Sequence, residues 1–259
     1  MKRNVLNLGF GLLAFLVFFS CLKDEDDIVV SYGVIQNVIS PSNYEILTDK
    51  GNTLKVLKSY TSQTIENDKR VLANFEILSD KDKSKKSYDV QVNGFYQLLS
   101  KPVVYESFIL QDEETRRDSI GNDPFIYIQA GFGGGFINID FGIWYSPYSS
   151  VKHLINLVYD DTRADADTIY LTLRQNAYGE VQEGSYHLQK GVGRSSFKLA
   201  DLLPPGVTSK HVQITWDEYL YFNETRTRSA SGIFRLNDSP DKTIRLTGQV
   251  GFDSSIEIK

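Results

Sequence analysis

Apolar residues recur at every second position in run after run of this sequence, and that period constrains the fold more than any other feature. Val71, Ala73, Phe75 and Ile77 alternate with Leu72, Asn74 and Glu76, and Tyr88, Val90 and Val92 alternate with Asp89, Gln91 and Asn93. A period of two sets one face of a strand against a core, whereas a helix needs a period near 3.6. Val29–Ile39 is one long β-prone run. Ile46–Thr48 and Thr53–Val56 flank Asp49-Lys50-Gly51-Asn52, a hairpin turn with glycine where a positive φ is wanted. Five short strands within residues 29–103, with no amphipathic helix between them, predict a small barrel. An OB-like five-stranded barrel is the expected form; the periodicity alone also admits an SH3-like barrel.

Residues 104–124 are polar and mixed in charge, from Gln111-Asp112-Glu113-Glu114 to Arg116-Arg117-Asp118. The spacing of Arg and Glu admits a short helix, but a connector is the simpler expectation, closed by Gly121-Asn122-Asp123-Pro124. Residues 125–259 return to strands. Phe125–Gln129 leads into Gly131-Phe132-Gly133-Gly134-Gly135 and then Phe136–Trp144. Leu154–Tyr159, Thr168–Arg174, His211–Trp216, Ser231–Leu236 and Thr243–Gln249 follow, between turns rich in Asp, Gly and Pro. That density predicts an antiparallel β-sandwich. Phe197–Leu203, ahead of Pro204-Pro205, is expected to add one helical turn. The fold class is therefore all-β.

The N-terminus fixes the compartment. Lys2 and Arg3 precede an apolar run, Val5–Phe19, that is short for a membrane span of roughly 20 residues and fits a secretory signal over residues 1–20. Cys21 follows the small Ser20 and is the one cysteine in the chain, so no intramolecular disulfide forms. Removing residues 1–20 takes away Lys2 and Arg3 and no acid, moving the formal charge from −5 to −7. Nucleic-acid binding needs a concentrated basic footprint; Lys81–Lys86 is interrupted by Asp82 and Ser84 and reads as a solvated hairpin loop, so no nucleic-acid partner is expected.

Ser20-Cys21 resembles the lipobox of bacterial lipoproteins, although Phe18 and Phe19 replace the usual Leu-Ala/Ser pair. The resemblance implies lipidation of Cys21 and a membrane partner through that lipid. Residues 21–28 form an acidic tether, whose like charges keep it extended. Lys23, Asp24, Glu25, Asp26 and Asp27 are also similar to the export signal of Bacteroidetes surface lipoproteins. The expected location is the outer membrane, cell-surface exposed, with the periplasmic face as the alternative. The whole layout resembles the NigD-like lipoproteins of Bacteroidetes, most specifically at Gly133-Gly134-Gly135-Phe136-Ile137-Asn138-Ile139. That resemblance implies an OB-like module followed by a sandwich and an envelope location, and carries no catalytic residue.

The Gly131–Gly135 turn lacks the Gly-Lys-Ser/Thr ending and following helix of a phosphate loop, so a tight β-connection is expected. His153, His187 and His211 stand alone, without zinc-ligand spacing, and read as surface or strand residues. Asp160–Asp167 has carboxylates but not the Gly and Glu of a calcium loop, and reads as a solvated hairpin loop. Trp144, Tyr145, Tyr148, Trp216, Tyr219 and Tyr221 could form a ligand-stacking platform for sugar rings, against the alternative of core packing. Asp118-Ser119-Ile120 and Asp167-Thr168-Ile169 are similar to the O-glycan acceptor triplet of exported Bacteroidetes proteins, with Ser119 and Thr168 as acceptors. No nucleophile, metal set or acid/base pair stands out, and no cofactor is expected. The expectation is a non-catalytic lipoprotein that binds or assembles with a protein partner, the alternatives being glycan binding or bacteriocin immunity.

Overall fold

The computed structural model of the 259-residue chain describes residues 29–79, 86–163, 165, 167–181, 187–221, 224–236 and 243–244. The signal segment, Cys21 and the acidic run Lys23–Asp27 lie outside the described residues. No helix among the described residues is long and apolar enough to cross a membrane.

Five strands close a barrel: β1 (Val29–Ser40), β2 (Asn43–Thr48), β3 (Thr53–Ser59), β4 (Arg70–Ile77) and β5 (Ser87–Gln97), in the order β1-β2-β3-β5-β4. β3 and β5 run parallel and the other neighbours antiparallel, with β4 returning to β1. This is the OB arrangement, and closure leaves no open edge. The alternation read from the sequence is the barrel's inside and outside. Ile35, Ile46, Leu54, Val56, Val71, Ala73, Phe75, Val90 and Val92 are buried together, with Tyr44 among them. Each Val, Leu, Ile or Phe among them contributes about 1.5–3 kcal/mol on burial.

The second module is two five-stranded sheets face to face. One has the order β15-β8-β9-β12-β6, from β6 (Leu99–Lys101), β8 (Tyr127–Gly133), β9 (Phe136–Tyr145), β12 (Gln189–Lys198) and β15 (Thr243–Ile244). The other has the order β14-β13-β11-β10-β7, from β7 (Val104–Tyr105), β10 (Leu154–Tyr159), β11 (Thr168–Asn176), β13 (Ser209–Tyr221) and β14 (Glu224–Arg235). Phe125, Phe132, Ile137, Ile139, Phe141, Leu157, Leu171, Phe197, Trp216 and Phe234 fill the space between them.

Three expectations are corrected here. The sandwich is mixed rather than antiparallel, because β7–β10, β6–β12 and β11–β13 are parallel pairs. Leu99–Lys101, assigned by sequence to the barrel, is a sandwich strand against Ser195–Phe197. Residues 104–124 are more than a connector: they hold β7, α1 (Glu106–Leu110) and α2 (Glu113–Ile120). Ile109 and Ile120 bury against Val158, which gives these short helices the apolar support that their own polar sequence lacks. Arg117 reinforces them through Glu113 and Glu106, both at 2.7 Å, and Gly121 at φ +72° ends α2. The predicted helical turn reduces to a 3-10 turn at Ala200–Leu202, after β12 has run to Lys198.

Candidate functional site

Among the described residues, a buried polar network lies at the seam where the barrel rests on the outer face of β8, β9 and β12. It starts from the β2–β3 turn. Gly51 at φ +75° lets the chain reverse, and the Asp49 N–H donates to the Tyr32 carbonyl at 3.0 Å, aiming the Asp49 carboxylate away from the barrel. Arg70, the first residue of β4, meets it with both arms: Nη1 donates to Asp49 Oδ1 and Nη2 to Oδ2, each at 2.5 Å. Both side chains are 1% exposed. A buried ion pair is tolerable only when its remaining donors and acceptors find partners, and the sandwich supplies them.

Asn138 on β9 and Ser196 on β12 are opposite each other in register. Arg70 Nε donates to Ser196 Oγ at 3.0 Å, and Nη2 donates to Asn138 Oδ1 at 3.0 Å. Asn138 Nδ2 donates back to Asp49 Oδ2 at 3.1 Å, and the Ser196 hydroxyl donates to Asn138 Oδ1 at 2.8 Å. The guanidinium carbon also lies 4.3 Å from the centre of the Phe136 ring. Four polar side chains from two modules thus close one network, while the glycines of the β8–β9 turn make room for it. A Cβ on Gly133 would stand 2.7 Å from Asp49 Oδ2, and one on Gly134, whose φ is +57°, 2.6 Å from Oδ1. The glycine turn is a β-connection, as its sequence indicates, and also the seat of the barrel.

Beside this network, Asp140 Oδ1 accepts from Arg194 Nε at 3.2 Å and from the Tyr32 hydroxyl at 3.5 Å. Burial pushes the Asp140 carboxyl up against the pull of Arg194. Burial, and then the Asp140 charge, push the Tyr32 hydroxyl up to about 12. These groups position the modules; they are not arranged as a nucleophile and base.

The aromatic candidates do not come together. Trp216 is 5% exposed, in the sandwich core, and belongs to the sheet opposite Trp144. Tyr219 is half-buried on the same strand as Trp216, its hydroxyl pushed up to about 12 by burial and by Asp123. Trp144 is half-buried at the end of β9 with the Lys190 ammonium 5.4 Å from its ring centre, and Tyr145 packs over Gly191. Tyr148, 83% exposed, meets the His187 ring edge-on at 6.0 Å. The residues predicted to stack on one ligand are thus divided, Trp144 and Tyr145 on one sheet and Trp216 and Tyr219 on the other, and Trp216 is packing.

His153 also departs from expectation, being neither on the surface nor on a strand. Its Nε2 lies 2.7 Å from Glu180 Oε2 and its Nδ1 3.0 Å from Gln175 Nε2, with His153 and Glu180 side chains 5% and 7% exposed. Burial pushes the Glu180 carboxyl up, but the Ser149 hydroxyl, His153 and the Ser146 N–H more than offset it and hold the group low. The Asp160–Asp167 acids serve the hairpin: Asp160 accepts from Thr162 and Arg163, and Asp161 Oδ1 accepts the Ser107 N–H of α1 at 2.8 Å. Ser119 is exposed on the last turn of α2 rather than in a connector, and Thr168 is half-buried as the first residue of β11.

Sequence reasoning missed Asp49, Arg70 and Ser196 as partners. The available signals were an arginine heading an apolar alternation and Asn138 interrupting Phe-Ile-Asn-Ile-Asp-Phe. Neither identifies what the residue meets.

No curated protein matches the chain in sequence. Solved structures do. One from Parabacteroides distasonis, described as a "Putative TOXIN related protein", is 22% identical with a TM-score of 0.61, covering 82% of this chain and 95% of that one. A NigD-like immunity protein from Bacteroides caccae is 16% identical with a TM-score of 0.60, over 78% and 92%. A "Putative lipoprotein" from Bacteroides fragilis is 10% identical with a TM-score of 0.54, over 80% and 98%. At these identities the likeness is one of fold. Residues 107–229 match the family model described as NigD-like C-terminal beta sandwich domain. The resemblance read from Gly133–Ile139 therefore holds: the sandwich of this chain is a NigD-like C-terminal β-sandwich domain.

Proposed function

We propose that this chain is a lipid-anchored, non-catalytic envelope protein that acts as a binding or assembly module for a protein partner. The observation that supports this reading is the Asp49–Arg70–Asn138–Ser196 network. It fixes the barrel on the sandwich and engages their buried polar groups with one another, which suits a rigid two-module surface. Cys21 carries the lipid, and the acidic run Lys23–Asp27 directs the protein to the outer face of the outer membrane. A photo-reactive side chain placed in turn at exposed barrel and sandwich positions, in the native host, tests the partner. One discrete adduct confined to neighbouring positions is expected; adducts at none would sink the binding reading. Lipid labelling that survives Cys21→Ser would remove the anchor, and digestion by protease on intact cells separates the surface from the periplasmic face.

A second reading is protection against a bacteriocin. It is favoured by the immunity description of the Bacteroides caccae protein, whose fold this chain shares. Deletion of the gene with unchanged sensitivity to toxins of neighbouring strains would eliminate it.

A further inference from the structure

Natural β-proteins leave few long strands with an unpaired side, because such an edge templates pairing with another chain. Among the described residues the strands that end the sheets span two or three residues, with one exception. The barrel is closed, β6 and β7 at two sheet edges are three and two residues long, and β15 at a third is described over Thr243–Ile244. The fourth edge is β14, twelve residues without a proline or a lysine.

The direction of its backbone groups follows from its neighbours. Phe125 donates to the Asp217 carbonyl, Tyr219 donates to the Phe125 carbonyl, and His211 donates to the Asp167 carbonyl, so the odd-numbered residues of β13 face away from β14. The even-numbered residues of β13 therefore form the ladder with β14, and their register partners are Arg226, Arg228, Ala230 and Gly232. Thr225, Thr227, Ser229, Ser231 and Ile233 are left pointing their N–H and C=O groups outward.

The edge also carries two guanidinium groups that share one carboxylate oxygen. Arg226 and Arg228 converge on a single oxygen, Glu218 Oε2, at 3.2 and 2.7 Å, and their side chains remain 38% and 30% exposed. A strand added antiparallel to β14 would hydrogen-bond to the odd-numbered residues. It would meet Arg226 and Arg228 at the non-hydrogen-bonded positions, where cross-strand side chains approach most closely.

We propose that β14 is a docking edge that takes an extended acidic segment of a partner protein as an added antiparallel strand. Carboxylates two residues apart in that segment seat against Arg226 and Arg228, and the five outward backbone pairs bind its main chain. This rests on the binding-module reading above and names the surface and partner chemistry for it.

The test uses the mature chain and a capped nonapeptide, Thr-Val-Thr-Val-Thr-Glu-Thr-Glu-Thr, whose two glutamates fall opposite Arg228 and Arg226 in the antiparallel register. Fluorescence anisotropy is expected to show saturable binding, and the lysine-for-glutamate counterpart should bind about tenfold more weakly or worse. Amide exchange followed by NMR should slow at Thr227, Ser229 and Ser231 on peptide addition. Ser229→Pro should abolish binding without lowering the melting temperature, because that N–H lies outside the β13 ladder. No binding at millimolar peptide overturns the proposal, and so does binding that Ser229→Pro leaves intact. Slow exchange of the three amides before peptide is added also overturns it, since another segment of the chain would then hold the edge. A host partner captured equally by the wild type and Ser229→Pro overturns the docking edge and leaves the binding-module reading in place.

Discussion

Asp49→Ala is the perturbation that tests the seam most directly. The substitution removes two bonds from the Arg70 guanidinium and the one that Asn138 Nδ2 donates, and strands a charge that is 1% exposed. Removing one partner of a buried pair costs about 3–5 kcal/mol, because the other is left charged and uncompensated. In a protein of this size each kcal/mol moves the melting temperature by roughly 2–4 °C, so a fall of about 6–20 °C is expected by calorimetry, with a matching loss by urea titration. Arg70 keeps Ser196 and Asn138, which places the result nearer the lower end. The double variant Asp49→Leu/Arg70→Met removes both charges and fills much of the same volume. It leaves only Asn138 Nδ2 without its acceptor and should cost about 1–3 kcal/mol, less than Asp49→Ala. A single variant costing under about 1 kcal/mol would refute the account of the seam. A double variant as damaging as the sum of its singles would refute it too.

The seat is tested by glycines. Gly134→Ala meets both a positive φ and Asp49 and should cost roughly 2 kcal/mol or more, whereas Gly51→Ala, at φ +75° with open space around its Cβ, should cost only about 1–2 kcal/mol for the backbone. Trp216→Ala should lose about 3–5 kcal/mol as a core cavity, and Tyr148→Ala, 83% exposed, should stay within about 0.5 kcal/mol, both read by urea titration. Glu180 is held below its ordinary value, so its contribution is present above the unfolded pKa and is lost as pH falls through the lower folded one. Acid titration of stability should therefore be shallower below about pH 4.5 in Glu180→Gln than in the wild type.

Much of the fold is legible in the sequence where one strand's own residues carry the signal. The barrel strands alternate because one face of each packs on Ile35, Val56, Val71 and Val90, and local periodicity reports that without knowledge of neighbours. β12 shows the opposite case. Gln189–Lys198 has two glycines and a polar composition, and nothing in it reads as a strand. It is one because Tyr145 and Phe141 on β9 lay their rings over Gly191 and Gly193 and supply the apolar cover from across the ladder. α1 and α2 are similar: their polar sequence suggests a connector until Val158 offers Ile109 and Ile120 a surface.

The sequence by itself determined the all-β class, a small five-stranded barrel and the β-connection at Gly133–Gly135, because each rests on local periodicity or local backbone freedom. Tertiary structure alone decided that Trp216 is core, that His153 and Glu180 are buried together, and that Asp49, Arg70, Asn138 and Ser196 are partners. Those residues lie 21 to 126 positions apart where they bond Arg70. A buried charge is stable only through groups that the fold brings to it, and no window of sequence contains them all.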